Sequence, residues 1–188
     1  MSELKNIALL IDADNTTPEG IDPVLTVMAE LGQVNIRRAY GNFAKYNLAR
    51  WDKITNKFGI RPQQQFDVSK GKNATDMAMT IDAIDLLYQG KVDGFGIMTS
   101  DSDFTPLVMR ILSNGITVYG FGEKKTPMPF VNACSQFIYT ENLEEQEDEE
   151  PTETRSTKKS RNELRRDAAL VKLLRTAVEQ SADEDGWS

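Results

Sequence analysis

The sequence predicts an α/β domain built on a parallel sheet flanked by helices, with a flexible linker and one isolated helix after it. Three observations carry that reading. Short apolar runs alternate with stretches whose apolar residues recur at helical spacing, the pattern of crossover units around a parallel sheet. Two of those runs, residues 7–11 and 92–98, stop abruptly at acids, in Asp12-Ala13-Asp14-Asn15 and in Thr99-Ser100-Asp101-Ser102-Asp103. The charge pattern changes after residue 140, where an almost wholly acidic stretch begins.

Taken in order, Ile7 to Ile11 is a continuous apolar run and suits a strand buried on both faces. Residues 18–31 read as a helix with Ile21, Val24, Leu25, Met28 and Leu31 on one face and Gly32 as its stop. A strand over 35–40 precedes a helix over 44–58 carrying Leu48, Trp51, Ile54 and Phe58, then Gly59 and a strand near 60–66. The polar loop 70–76 runs into a helix at about 75–88, in which Met77, Ile81, Ile84 and Tyr88 follow helical spacing and are expected to face the core. Residues 92–98 form the next strand, and Phe104, Leu107, Val108 and Ile111 mark a helix over 104–112, capped by Ser102 or Asp103. A strand over 116–121, a short helical turn over 127–133 and an edge strand over 136–139 complete a domain spanning 1–140. Residues 141–161 cannot bury a core and read as the linker, acidic first and then rich in Ser, Thr, Lys and Arg. In 162–188, Leu164, Ala168, Val171, Leu174 and Val178 form an amphipathic stripe whose apolar face needs a protein partner.

Composition narrows the chemistry. The chain has 188 residues, one cysteine and no histidine. Ser-His-Asp and Cys-His catalysis and the usual Cys/His zinc sites are thereby excluded. Acid-base work falls to carboxylates, lysine, tyrosine or metal-bound water. The single Cys134 cannot form an intrachain disulfide, and with no leader before the first strand and no apolar run long enough for a membrane the chain reads as cytoplasmic. The net charge of −7 is local: residues 1–140 hold 14 Lys and Arg against 15 Asp and Glu, whereas 141–150 hold 0 against 7.

If the first and fourth strands are parallel and central, Asp12 converges with Asp101 and Asp103, and Asp76 joins them from the first turn of its helix. Carboxylates gathered in one crevice repel unless a cation is present, which points to a hard divalent ion, Mg²⁺ or Mn²⁺. Two such ions about 3.5 to 4 Å apart can activate water and stabilise the leaving oxygen of a phosphodiester. Asn15, Thr99, Ser100 and Ser102 can orient water or phosphate, and Asp14 is a second-rank ligand. Each acid has a plainer reading as a loop cap or turn former, and Asp76 as a partner for its helix dipole. No glycine-rich fingerprint for a dinucleotide is present.

Between residues 35 and 61 seven cations stand against Asp52 alone, interleaved with Tyr40, Phe43, Tyr46, Trp51 and Phe58. Cations that track phosphates, with rings for unpaired bases, are what a single-strand groove requires. Trp51 and Phe58 read as core. Arg38, Lys45, Tyr40, Phe43 and Tyr46 are the contact candidates, and Lys70 and Lys72 lie beside Asp76.

Three motifs, Ile-Asp-Ala-Asp-Asn (11–15), Lys-Asn-Ala-Thr-Asp-Met-Ala-Met-Thr-Ile-Asp (72–82) and Thr-Ser-Asp-Ser-Asp-Phe-Thr-Pro-Leu (99–107), are followed by Gly-Ile-Thr-Val-Tyr-Gly (115–120). Together they resemble the NYN domain, which includes LabA-like bacterial proteins and belongs to the PIN-like nuclease fold. The resemblance implies a metal-dependent ribonuclease acting on RNA, with Asp12, Asp76, Asp101 and Asp103 in the acidic positions and Asn15 beside them. Asp82 matches a further family acid, but six residues from Asp76 it falls on another helix face and reads as structural or outer-shell. Residues 164–187 resemble the opening of a LOTUS (OST-HTH) module, of which only the first helix and an Asp-Gly-Trp turn are present. Two other functions fit the same residues: a non-catalytic RNA-binding or regulatory adaptor, and a metal phosphohydrolase acting on small phosphoesters.

Overall fold

The computed structural model describes residues 5–66 and 73–143. The residue 72 lysine, nearly all of the expected linker and the expected terminal helix with its LOTUS-like stretch lie outside the described residues. Within them, strands β1 (Asn6–Asp12), β2 (Gln33–Gly41), β3 (Arg61–Gln64), β4 (Gly94–Met98), β5 (Thr117–Gly122) and β6 (Gln136–Tyr139) alternate with helices α1 (Ile21–Leu31), α2 (Arg50–Phe58), α3 (Ala74–Gln89), α4 (Thr105–Leu112) and α5 (Met128–Ala133). The strands form one six-stranded sheet in the order β3-β2-β1-β4-β5-β6. Every pairing is parallel. The expected α/β architecture is therefore the observed one, with β6 on an edge.

Apolar runs become central strands because both of their faces are covered. Along β1, Ile7, Leu9 and Ile11 pack into a core with Ile21, Val24 and Met28 of α1 and Trp51 of α2. The alternate residues Ala8 and Leu10 pack with Met79, Ala83 and Leu86 of α3, Val108 of α4 and Phe130 of α5. Strand alternation thus assigns each β1 side chain to one helical layer. Gly96 of β4 makes room for α1, since a Cβ there would lie 2.8 Å from Met28 Cε.

Two expectations need correcting in this layer structure. The second helix begins at Arg50 rather than residue 44, preceded by a 3₁₀ turn at Tyr46–Leu48. In α3 the face turned to the sheet carries Thr75, Met79, Ala83, Leu86 and Leu87. Met77, Ile81 and Tyr88, expected in the core, are 60%, 55% and 59% exposed. Both sets satisfy helical spacing, and the set with the small Ala83 lets the helix sit down on the sheet.

Candidate active site

Strand order reverses between β1 and β4, so the crevice of this sheet opens beyond the carboxyl ends of those two strands. Ile11 of β1 lies level with Met98 of β4. Asp12 follows Ala8 and Leu10 in alternation and so faces the layer of α3 and α4. Those helices begin at the same edge, α3 with Asp76 in its first turn. A 3₁₀ turn at Ser102–Phe104 leads into α4 and holds Asp103.

Asp12 is fully buried. Its Oδ2 accepts from Asn15 Nδ2 at 2.9 Å and from Thr99 Oγ1 at 2.8 Å. The Thr99 hydroxyl also accepts from the Asp101 N–H at 3.1 Å, so one buried oxygen ties the two acidic strand ends together. Asp12 Oδ1 is buried with no hydrogen-bond partner among the described residues. Burial raises the Asp12 carboxyl above its ordinary range, with Asp14 adding to the rise and the Asn15 and Thr99 hydrogen bonds opposing it. Asp76 is pushed up to about 6, first by burial and then by the charges of Asp12, Asp101, Asp103 and Asp14. Five carboxylates therefore share one field at the crevice.

An all-oxygen set with an unpaired buried carboxylate oxygen matches a hard divalent cation in kind. The spacing is that of an open cluster: among the described residues no three acids stand together as a closed set of ligands. Asp14, expected only as a second-rank ligand, belongs to the rim. Its Oδ2 accepts from Thr75 Oγ1 at 2.7 Å, and Lys45 Nζ lies 3.7 Å from its Oδ1.

The remaining candidates divide. Asp101, rather than Ser102 or Asp103, caps the 3₁₀ turn, its Oδ1 accepting from the Asp103 N–H at 2.9 Å. Ser102 and Asp103 stay at the rim, partly buried and exposed. Ser100 Oγ accepts from the Glu123 N–H at 3.0 Å and so ties the β4 loop to the end of β5. Tyr40, expected to meet bases, is 1% exposed. Its hydroxyl donates to Asp82, which also receives Arg38. Arg38 and Tyr40 are two apart on β2 and so share the face covered by α3, which buries Tyr40 and leaves Arg38 partly exposed. Phe43 is partly buried against the α1 and α2 core. Tyr46 stands 96% exposed.

Sequence reasoning missed Thr75, Glu123 and Lys125. Thr75 sits one residue before Asp76, but nothing local marks it as the donor to Asp14. Glu123 and Lys125 follow β5 at the same sheet edge, and only the strand order brings them near. With Asp14, Asn15 and Arg50 they line a cleft of about 360 Å³ beside the acids.

The profile of the NYN domain matches residues 6–144, which covers the whole sheet and every acid of the rim. The chain belongs to the NYN domain family. That family lies within the PIN-like nuclease superfamily, which supports a nuclease- or RNA-related role. Over 121 residues it is 30% identical to an uncharacterised protein of Methanocaldococcus jannaschii, a match covering 62% of this chain and 47% of that protein. The chain thus spans about half the length of that relative. A crystal structure of a protein of unknown function from Vibrio parahaemolyticus superposes with a TM-score of 0.60 at 20% identity, covering 74% of this chain and 94% of the other. That likeness is one of fold. Among the described residues no helix is long and apolar enough to cross a membrane.

Proposed function

We propose that this NYN domain is a metal-dependent ribonuclease that hydrolyses RNA phosphodiesters at the rim formed by Asp12, Asp76, Asp101 and Asp103, with Mg²⁺ or Mn²⁺ as its ion. The observation that carries the reading is Asp12 Oδ1, a buried carboxylate oxygen without a partner, in a crevice where four further acids repel one another. A buried acid in that state is costly unless a cation completes it. The three motifs that resemble the LabA-like members of the family point the same way.

Asp12, Asp76, Asp101 and Asp103 are the residues that would hold the ion, with Asp14 beside them. When bound, a divalent ion supplies Lewis-acid stabilisation of the phosphodiester and lowers the pKa of the attacking water. The chain's own residues do the rest. Thr99 and Asn15 fix the Asp12 carboxylate, and Asp101 fixes the turn that carries Asp103. Asp76 brings a further carboxylate to the rim from the first turn of α3. Lys45, exposed next to Asp14, is a phosphate contact at the edge of the rim.

The test is cleavage of single-stranded and structured RNAs in Mg²⁺, Mn²⁺ and EDTA. Asp101→Asn is the informative variant, because the amide oxygen can still accept from the Asp103 N–H while the charge is gone. Expected are cleavage that EDTA abolishes and a kcat lowered roughly 100-fold or more, with RNA affinity changed far less. Absence of metal-dependent cleavage across the panel would remove the proposal. The open spacing of the acids favours one second reading, a non-catalytic RNA-binding adaptor, which would bind RNA alike in EDTA and Mg²⁺ and leave it intact.

A further inference from the structure

The cleft beside Asp14 and Asn15 does not end at Arg50. A second one, of about 530 Å³, shares Pro18 and Arg50 with it and continues along Tyr46, Lys53 and Ile54. The two together lead from the acidic rim, past Pro18, onto the outer side of α2.

The character of the surface changes along that path. The rim is anionic, whereas α2 presents Arg50, Lys53 and Lys57 at i, i+3 and i+7, on one face and roughly 10 Å from end to end. Arg50 pairs with Glu19, the two side chains being 67% and 46% exposed. Lys57 lies 3.4 Å from Asp22 with exposures of 64% and 57%. Ion pairs this exposed contribute little and give way to a phosphate. Lys53 makes no ion pair among the described residues. Beside these cations stands the Tyr46 ring, 96% exposed and absent from the packed core, although β2 and α2 bury every other large aromatic that they carry at least in part. A free ring next to a row of cations is the combination that stacks an unpaired base and holds its backbone.

We infer that this second cleft is a single-strand RNA subsite: a strand crossing the acidic rim continues past Pro18, stacks a base on Tyr46 and sets its phosphates against Arg50 and Lys53. The inference rests on the RNA reading of the rim, but it concerns binding and stands or falls without cleavage. Exposed as it is, Tyr46 can be replaced without disturbing the core.

The experiment measures binding of a fluorescein-labelled oligouridylate of about ten nucleotides to the full chain in EDTA, across a salt series. Tyr46→Ala is expected to weaken binding about tenfold and Tyr46→Phe to retain it, since stacking needs the ring and not the hydroxyl. Lys53→Ala is expected to reduce the steepness of log K against log salt by about 0.7, the loss of one phosphate contact. Unchanged affinity in Tyr46→Ala, or an unchanged salt slope in Lys53→Ala, overturns the subsite even if the protein cleaves RNA. Competition by polyglutamate as effective as by oligouridylate at equal charge also overturns it, leaving a surface for acidic peptides. Base-dependent binding with no cleavage in Mg²⁺ would uphold the subsite and sink the ribonuclease.

Discussion

At the scale of single residues, the cost of the site is concentrated in Asp12 and Asp76. Burial takes both carboxylates away from water, and Asp12 recovers only part of the loss through Asn15 and Thr99. Asp76 has a folded-state value of about 6 against an ordinary 3.8. Between those values the folded chain holds the proton that the unfolded chain has released. Stability therefore falls as pH rises through this window, and the penalty is complete above it. Asp76→Asn is accordingly expected to raise Tm at pH 7 to 8 in EDTA and to lose that advantage as pH falls toward about 4. Thermal melts at a series of pH values check this, and a Tm gain independent of pH would contradict the charged-cluster account. Asp12, Asp101 and Asp103 were legible in the sequence because acids that end an apolar run stand out. Thr75 was not, because a threonine at a helix start is ordinary until a partner 61 positions away is known.

At the scale of elements, α3 shows where periodicity stops being informative. Its sequence offers two apolar stripes, and the sheet selects the one through Met79, Ala83 and Leu86. Met79 is fully buried and Met77 is 60% exposed, so the two methionines separate cleanly. Met79→Ala is expected to cost about 2 to 5 kcal/mol and Met77→Ala less than about 0.5 kcal/mol in denaturant unfolding. Comparable losses at both positions would mean that the exposed stripe is covered in solution. The same helix explains Tyr40. Once α3 lies across β2, Tyr40 is buried, Arg38 is partly covered, and Asp82 becomes their shared acceptor. The β2 sequence, basic and aromatic, shows no preference between a groove and a helix-covered face.

At the scale of the whole molecule, one sheet edge gathers residues from five separate stretches. Asp12 to Asn15 come from the end of β1, Asp76 from the start of α3, and Thr99 to Asp103 from beyond β4. Lys45 follows β2 and Glu123 follows β5. If the proposed ion binds there, it offsets the mutual repulsion of these carboxylates and tightens the site. Mg²⁺ or Mn²⁺ is expected to raise Tm with concentration as RT ln(1 + [ion]/Kd). Asp12→Asn should melt higher than the native chain in EDTA, because a buried anion has been removed, and should lose most of the ion-dependent gain. Differential scanning fluorimetry across an ion titration reads both effects, and an Asp12→Asn protein that kept the full gain would place the ion elsewhere.

The sequence by itself determined the alternation of strands and helices, the parallel sheet, the acidic strand ends and the absence of histidine chemistry. These depend on local spacing and composition, which the chain carries openly. Only the tertiary structure decided which helix stripe is buried, that Tyr40 is sealed under α3 while Tyr46 stands free, and that Asp14, Thr75 and Glu123 join the rim. Those outcomes depend on strand order and on which face each helix covers. Two residues become neighbours there through the packing of distant segments, a relation that no local pattern encodes.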